Sequence, residues 1–203
     1  MTRSERKRLA IIEAAKEEFI QHGFIAANMD RVSATAEVSK RTLYRHFESK
    51  ECLFESVLTI IQQSVDSHVQ YPFDEKRSLH EQLTDITYQE VDVLYNTYGI
   101  DLSRTIVMEF LRQPEMAQNL ITTLYSTKAV TQWFKAAMEA GKLKHTDLKT
   151  LTNIYVSLFQ GLLFWPQVMH LAPTFDGKIL EEKIETVVSV LLASYGQANQ
   201  PAA

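Results

Sequence analysis

Residues 38–50 read V-S-K-R-T-L-Y-R-H-F-E-S-K, and they decide the fold. Ser39 has the side chain of a helix N-cap, because its hydroxyl can accept from an orphan amide of the first turn. Leu43 and Phe47 are four residues apart and so share one helical face. At about 100° per residue, Arg41 and Arg45 point roughly the opposite way. The spacing predicts a short helix with one side anchored in a core. Its other side offers guanidinium, ammonium, hydroxyl and phenol donors, a set better suited to a polyanion than to an active site.

Upstream, two more helices are predicted. Ser4 is the expected cap of the first, with Leu9, Ile12, Ala15 and Phe19 as its inner stripe and Gly23 as its end. Asn28 is the expected cap of a short second helix carrying Met29, Val32 and Ala36, and Glu37 with Val38 forms the turn into the third. Downstream, Ser49 opens a long fourth helix striped by Leu53, Val57 and Ile61, which should stop before Pro72. Further helices are predicted over about 76–97 and 101–112, and from Pro114, suited to a first helical position, to Gly141.

The last two predicted helices, 146–165 and 178–195, carry apolar residues well past the single stripe of a surface helix. Pro166 should kink or end the first of them. Helices this apolar call for a second partner besides their own core, and a second copy of the chain would supply it. Tyr155, Phe159, Leu162, Ile184, Val188 and Leu191 are the expected dimer interface. The tail beyond Gly196 is expected to fray. No alternating strand pattern appears, so the fold class is all-α.

Composition narrows the function. The 203 residues suffice for one large or two small domains with a proper core. The single cysteine, Cys52, excludes an internal disulfide and favours a reducing, cytoplasmic setting. No charged-then-apolar leader opens the chain, and no apolar run reaches the roughly 18–20 residues that span a bilayer, so no membrane partner is expected. Residues 1–50 hold ten Lys or Arg against seven Asp or Glu, a balance of +3, while the remainder holds eleven against eighteen, or −7. A basic head on an acidic body favours an anionic partner at one end only. No G-x-S-x-G, H-E-x-x-H, P-loop or dinucleotide fingerprint is present, and the six histidines lack short metal-ligand spacing. Neither an enzyme nor a metal or other cofactor is expected.

The head also resembles a known family. Ala15, Phe19, Gly23 and Phe24 form an A-x-x-x-F first helix ending in G-F; M-D-R-V-S-A-T-A (29–36), V-S-K-R-T-L-Y-R-H-F (38–47) and S-K-E-C-L-F (49–54) follow in order. These pieces resemble the DNA-binding domain of the tetracycline-repressor (TetR) family of bacterial transcriptional regulators. The resemblance implies a helix-turn-helix domain over residues 1–50 and a larger helical effector-binding and dimerisation domain over 51–203. It implies a ligand-responsive regulator, a repressor, bound to a palindromic double-stranded DNA operator as a homodimer. The third helix would enter the major groove, which admits a helix. Lys40, Arg41, Thr42 and Tyr44 match groove-facing positions, and Arg45 and His46 match positions near the backbone. Arg41 is the candidate for base readout, since a guanidinium can grip guanine O6 and N7 together. Tyr44, His46 and Lys50 would hold phosphates, and Asn28 would add a further phosphate contact. Arg3, Arg6, Lys7 and Arg8 would reach DNA from a mobile arm. Where the family usually has Gly, this chain has Glu37, and that position favours a positive φ.

The resemblance further implies a small-molecule pocket in the body, and E-F-L-R-Q-P-E-M (109–116) resembles one subgroup's ligand-binding domain. Met108, Phe110, Tyr125, Trp133, Phe159, Trp165 and Met169, with Arg104 as a polar group, are the candidate effector contacts. Aromatic and Met side chains suit an apolar or aromatic effector.

Overall fold

A computed structural model of the chain describes residues 1–118 and 128–197. The described residues are helical throughout, apart from turns and one isolated antiparallel bridge between Leu143 and Gly196. The helices are α1 (Arg3–Ala26), α2 (Met29–Thr35), α3 (Lys40–His46), α4 (Lys50–His68), α5 (Leu79–Asp92), α6 (Ile100–Arg112), α7 (Lys128–Glu139), α8 (Leu148–Phe159) and α9 (Gly177–Tyr195). The chain is also helical at 114–118, opening at Pro114. Leu120 and Leu124, expected on that helix, lie outside the described residues. No described helix is long and apolar enough to cross a membrane.

Two compact units emerge. The first joins residues 1–64 to the segment that begins at Asp101. The expected boundary at residue 50 falls inside it, because Leu53, Phe54, Val57, Leu58 and Ile61 on the first half of α4 are buried. Its centre is an aromatic triad: Phe54 lies edge-on to Phe19 at 4.9 Å and to Phe24 at 5.2 Å between ring centres. Leu102, Ile106 and Phe110 of α6 are also buried.

The second unit holds residues 65–100 and the segment from Thr127 onward. Here α9 packs on α5 and α8, and α7 packs on α8. Gln82 ties the entry of α5 together: its amide nitrogen donates to the carbonyls of Asp74 and Arg77, and its oxygen accepts from the Asp74 amide and the Trp133 indole.

Several local expectations change. Thr2, not Ser4, caps α1, because Thr2 and Glu5 form a reciprocal capping box. Arg3, Arg6, Lys7 and Arg8 are therefore helical rather than a loose arm. Leu9 is exposed, and Ile11 takes its place on the buried stripe. The helix predicted to 97 is regular only to Asp92 and then widens into a π turn over Val93–Tyr98. A second π turn, Gln160–Phe164, precedes Pro166, whose missing N–H and ring crowding a regular helix cannot absorb; helical backbone then continues to Val168. Beyond Gly196 the chain is pinned rather than frayed as far as Gln197, whose amide donates to the Lys142 carbonyl at 3.0 Å.

Candidate nucleic-acid interface

The third helix begins where its sequence says it should. Ser39 caps it, its Oγ accepting from the Thr42 amide at 3.2 Å and lying 2.9 Å from the Thr42 hydroxyl. Leu43 is fully buried and Phe47 is 3% exposed, so this seven-residue stub is held by its apolar face. Burying each such side chain contributes about 1.5–3 kcal/mol, far more than a helix of this length gains by itself. On the outer face Arg41, Tyr44 and Arg45 are exposed. Neither arginine forms an ion pair among the described residues. The turn before α3 places Glu37 at φ 53°, the left-handed conformation expected of that position.

The remaining candidates differ in readiness. Lys40 is exposed and 2.6 Å from Asp30 of α2; a surface pair of this kind holds by only about 0–1 kcal/mol, so a phosphate can displace the carboxylate. Asn28 caps α2, its side-chain oxygen accepting from the Asp30 amide at 2.7 Å. Only its side-chain nitrogen, Nδ2, is left to meet a phosphate, since its backbone amide donates to Glu18.

Lys50 departs from its expected role. Its ammonium donates to the carbonyls of Ile25 (3.0 Å) and Ala27 (3.3 Å) and sits 4.7 Å from the centre of the Phe24 ring. It staples the α1–α2 loop instead of reaching outward. His46 also departs, since its Nε2 is buried without a hydrogen-bond partner. Burial, with Arg45, Arg8 and Lys7 nearby, lowers its pKa and so favours the neutral ring. Arg8 stacks over Phe47 at 5.3 Å, joining the start of α1 to the end of α3. A groove lined by Ala10, Glu13, Ala14, Glu17, Thr35, Ala36 and Glu37 carries three carboxylates, and would repel phosphate.

One group of functional interest escaped the sequence reading. Glu18 of α1 is buried and accepts from the Asn28 amide at 2.8 Å and from the Arg31 guanidinium, whose Nε lies 3.0 and 3.1 Å from its two oxygens. The available signal was spacing: Glu18 continues the buried series Ile11, Ala14, Ala15 by three and four residues.

The other candidate sites are split between the units. In the first, Arg104 pairs with Asp101 at 2.7 Å, Phe110 is buried and Met108 is exposed. In the second, Trp133 is core: it is 1% exposed and its indole N–H already donates to Gln82. It sits in a run of ring contacts from Phe73 through Phe134 and Tyr155 to Phe159. Trp165 and Met169 are exposed, and Tyr125 lies outside the described residues. The expected dimer interface is corrected in part. Tyr155, Ile184, Val188 and Leu191 are buried in the unit's own core and present no surface to a second chain, while Phe159 and Leu162 are half-buried.

Comparison with known proteins fits this geometry. Residues 11–57 match the model for the N-terminal domain of bacterial regulatory proteins of the tetR family, and residues 81–197 match that for the C-terminal domain of AefR-like transcriptional repressors. The chain belongs to the tetR family. It is a transcriptional regulator of that DNA-binding, non-enzymatic family. Among solved structures, a TetR family regulator from Pseudomonas syringae is 31% identical, with a TM-score of 0.80 over 98% of this chain and 100% of that one. The flavonoid-responsive regulator FrrA is 28% identical, with a TM-score of 0.72 over 95% of this chain and 98% of that one. The regulator YhgD of Bacillus subtilis is 25% identical over 91% of this chain and 95% of its own length.

Proposed function

We propose that this tetR-family regulator is a cytoplasmic repressor that binds a palindromic operator as a homodimer and is released by a small-molecule effector. The observation that carries the DNA reading is the anchored α3 stub with Arg41, Tyr44 and Arg45 on its free face. Arg41 reads guanine, Tyr44 and Arg45 hold phosphates, and Lys40 joins them on leaving Asp30.

The homodimer reading moves to the outer faces of α8, of the helical stretch that follows it to Trp165, and of α9. Asn153, Ser157 and Trp165 with Gly161 between them, and Thr186, Ser189, Val190 and Ala193, are exposed at helical spacing. Their mostly small side chains allow close helix packing between copies. A dimer must set its two recognition helices about 34–36 Å apart to meet successive major grooves. An effector that prefers a different spacing would release the operator, provided its affinity differs between the two states. The FrrA likeness favours planar aromatic effectors, so flavonoids are the first probes.

The test is a gel shift with the DNA upstream of the chain's own gene. A specific complex that weakens with salt through counterion release supports the reading. Binding no tighter than that to unrelated DNA would reject it.

A further inference from the structure

Glu18 occupies a place where an apolar residue would complete the α1 stripe, and its side chain is 7% exposed. It accepts from the Asn28 amide at the cap of α2 and from the Nε and NH2 groups of Arg31 in the first turn of α2. Arg31 also donates to the Ala26 carbonyl at 2.8 Å. Those bonds hold the Glu18 carboxyl below the usual range although burial acts to raise it. Only the carboxylate of this pair is buried, and taking it out of water offsets much of the attraction, so the pair is a poor source of net stability. What the guanidinium fork supplies is direction, because two parallel bonds fix both distance and angle.

That direction is passed on. The α2 helix carries α3 through the turn between them, where the Val38 amide donates to the Ser33 carbonyl at 3.0 Å and the Glu37 amide to the Ala34 carbonyl at 3.1 Å. We propose that Glu18 is a positioning residue for DNA recognition: by gripping Arg31 and the Asn28 amide together, it sets the angle of α2 on α1 and so the pose in which α3 is presented. The inference rests on the reading that α3 contacts DNA.

Electrostatics and positioning predict opposite signs. Removing the Glu18 charge also frees Arg31 for phosphates, so charge alone would tighten binding to any DNA. Loss of pose would weaken binding to the operator only. The full-length protein is titrated with the promoter fragment that the wild type binds and with a scrambled fragment of equal length. Wild type, Glu18→Gln and Glu18→Leu are compared at a temperature where melting curves show each folded. The Leu variant fills the same space without charge and keeps the fold if Gln does not.

The expected result is operator affinity lowered by about tenfold in both variants, comparable to one mismatched base pair, with scrambled-DNA affinity unchanged or raised. The discrimination between the two fragments falls even in a variant that melts as high as wild type. Unchanged affinities, or affinities for both fragments that move together, would overturn the role of Glu18. A wild type that does not discriminate between the fragments would instead reject the DNA reading itself.

Discussion

Glu37 shows how much one residue can carry. Its φ of 53° is a conformation that costs a side-chain-bearing residue roughly 1 kcal/mol. Glu37→Gly relieves that strain and removes a carboxylate from the turn before α3. We expect a gain of about 0.5–1 kcal/mol, seen as a melting temperature a few degrees higher, with operator affinity kept or improved. A lower melting temperature would refute this account of the turn. The strain was legible through the family resemblance, because the tetR family usually has Gly where this chain has Glu37, at a position that favours a positive φ. The Glu18–Arg31 pair was not legible, since nothing local says that a buried carboxylate and an exposed guanidinium thirteen residues apart meet. The inward fold of Lys50 escaped for the same reason: a carbonyl-rich loop leaves no mark on the sequence. Glu90 is a half-buried carboxyl whose pKa is raised by its loss of solvent, which the hydrogen bond from Tyr71 at 2.8 Å only partly offsets. The folded chain keeps this proton where the unfolded chain releases it. Its stability contribution is therefore fully present below the unfolded value near 4.3 and is lost as pH rises from there through the higher folded value. Glu90→Gln should melt higher than wild type at pH 7–8, with the difference vanishing toward pH 4. A difference independent of pH would show that ionisation of Glu90 is not the cause.

Elements were read well where their ends carry chemistry. Asn28, Ser39 and Ser49 each accept from an amide of the first turn they precede, as their side chains predict. The α1 cap was misplaced by two residues because Thr2 and Glu5, not Ser4, have the three-residue spacing of a capping box. The π turns were not legible, since an i→i+5 pattern answers to packing and to Pro166 downstream rather than to a local residue preference. Ser39→Ala tests the recognition helix as an element. It should cost about 1 kcal/mol and weaken operator binding, because a seven-residue helix has no length to spare. Unchanged thermal stability and affinity would mean that packing of Leu43 and Phe47 alone forms the helix.

At the scale of the molecule, the all-α class and the helix-turn-helix head were readable, but the grouping of helices was not. The segment from Asp101 joins the first unit after an excursion of some 36 residues, from 65 to 100, in the second. Only tertiary contact reveals that. The apolar excess of the last two helices was real, yet Tyr155, Ile184, Val188 and Leu191 spend it inside their own unit. The proposed dimer face lies instead on exposed residues such as Val190. Val190→Glu should leave the melting of the isolated chain nearly unchanged, as surface substitutions do, while light scattering shows the dimer lost. A persistent dimer would place the interface elsewhere. The central claim is that α3 reads DNA through Arg41. Its most direct test is a salt-dependent titration of wild type and Arg41→Ala against the promoter fragment and a scrambled control. The account predicts that the variant loses about 1–3 kcal/mol of operator binding and little on the control. Equal affinity of both proteins for the promoter fragment would contradict it.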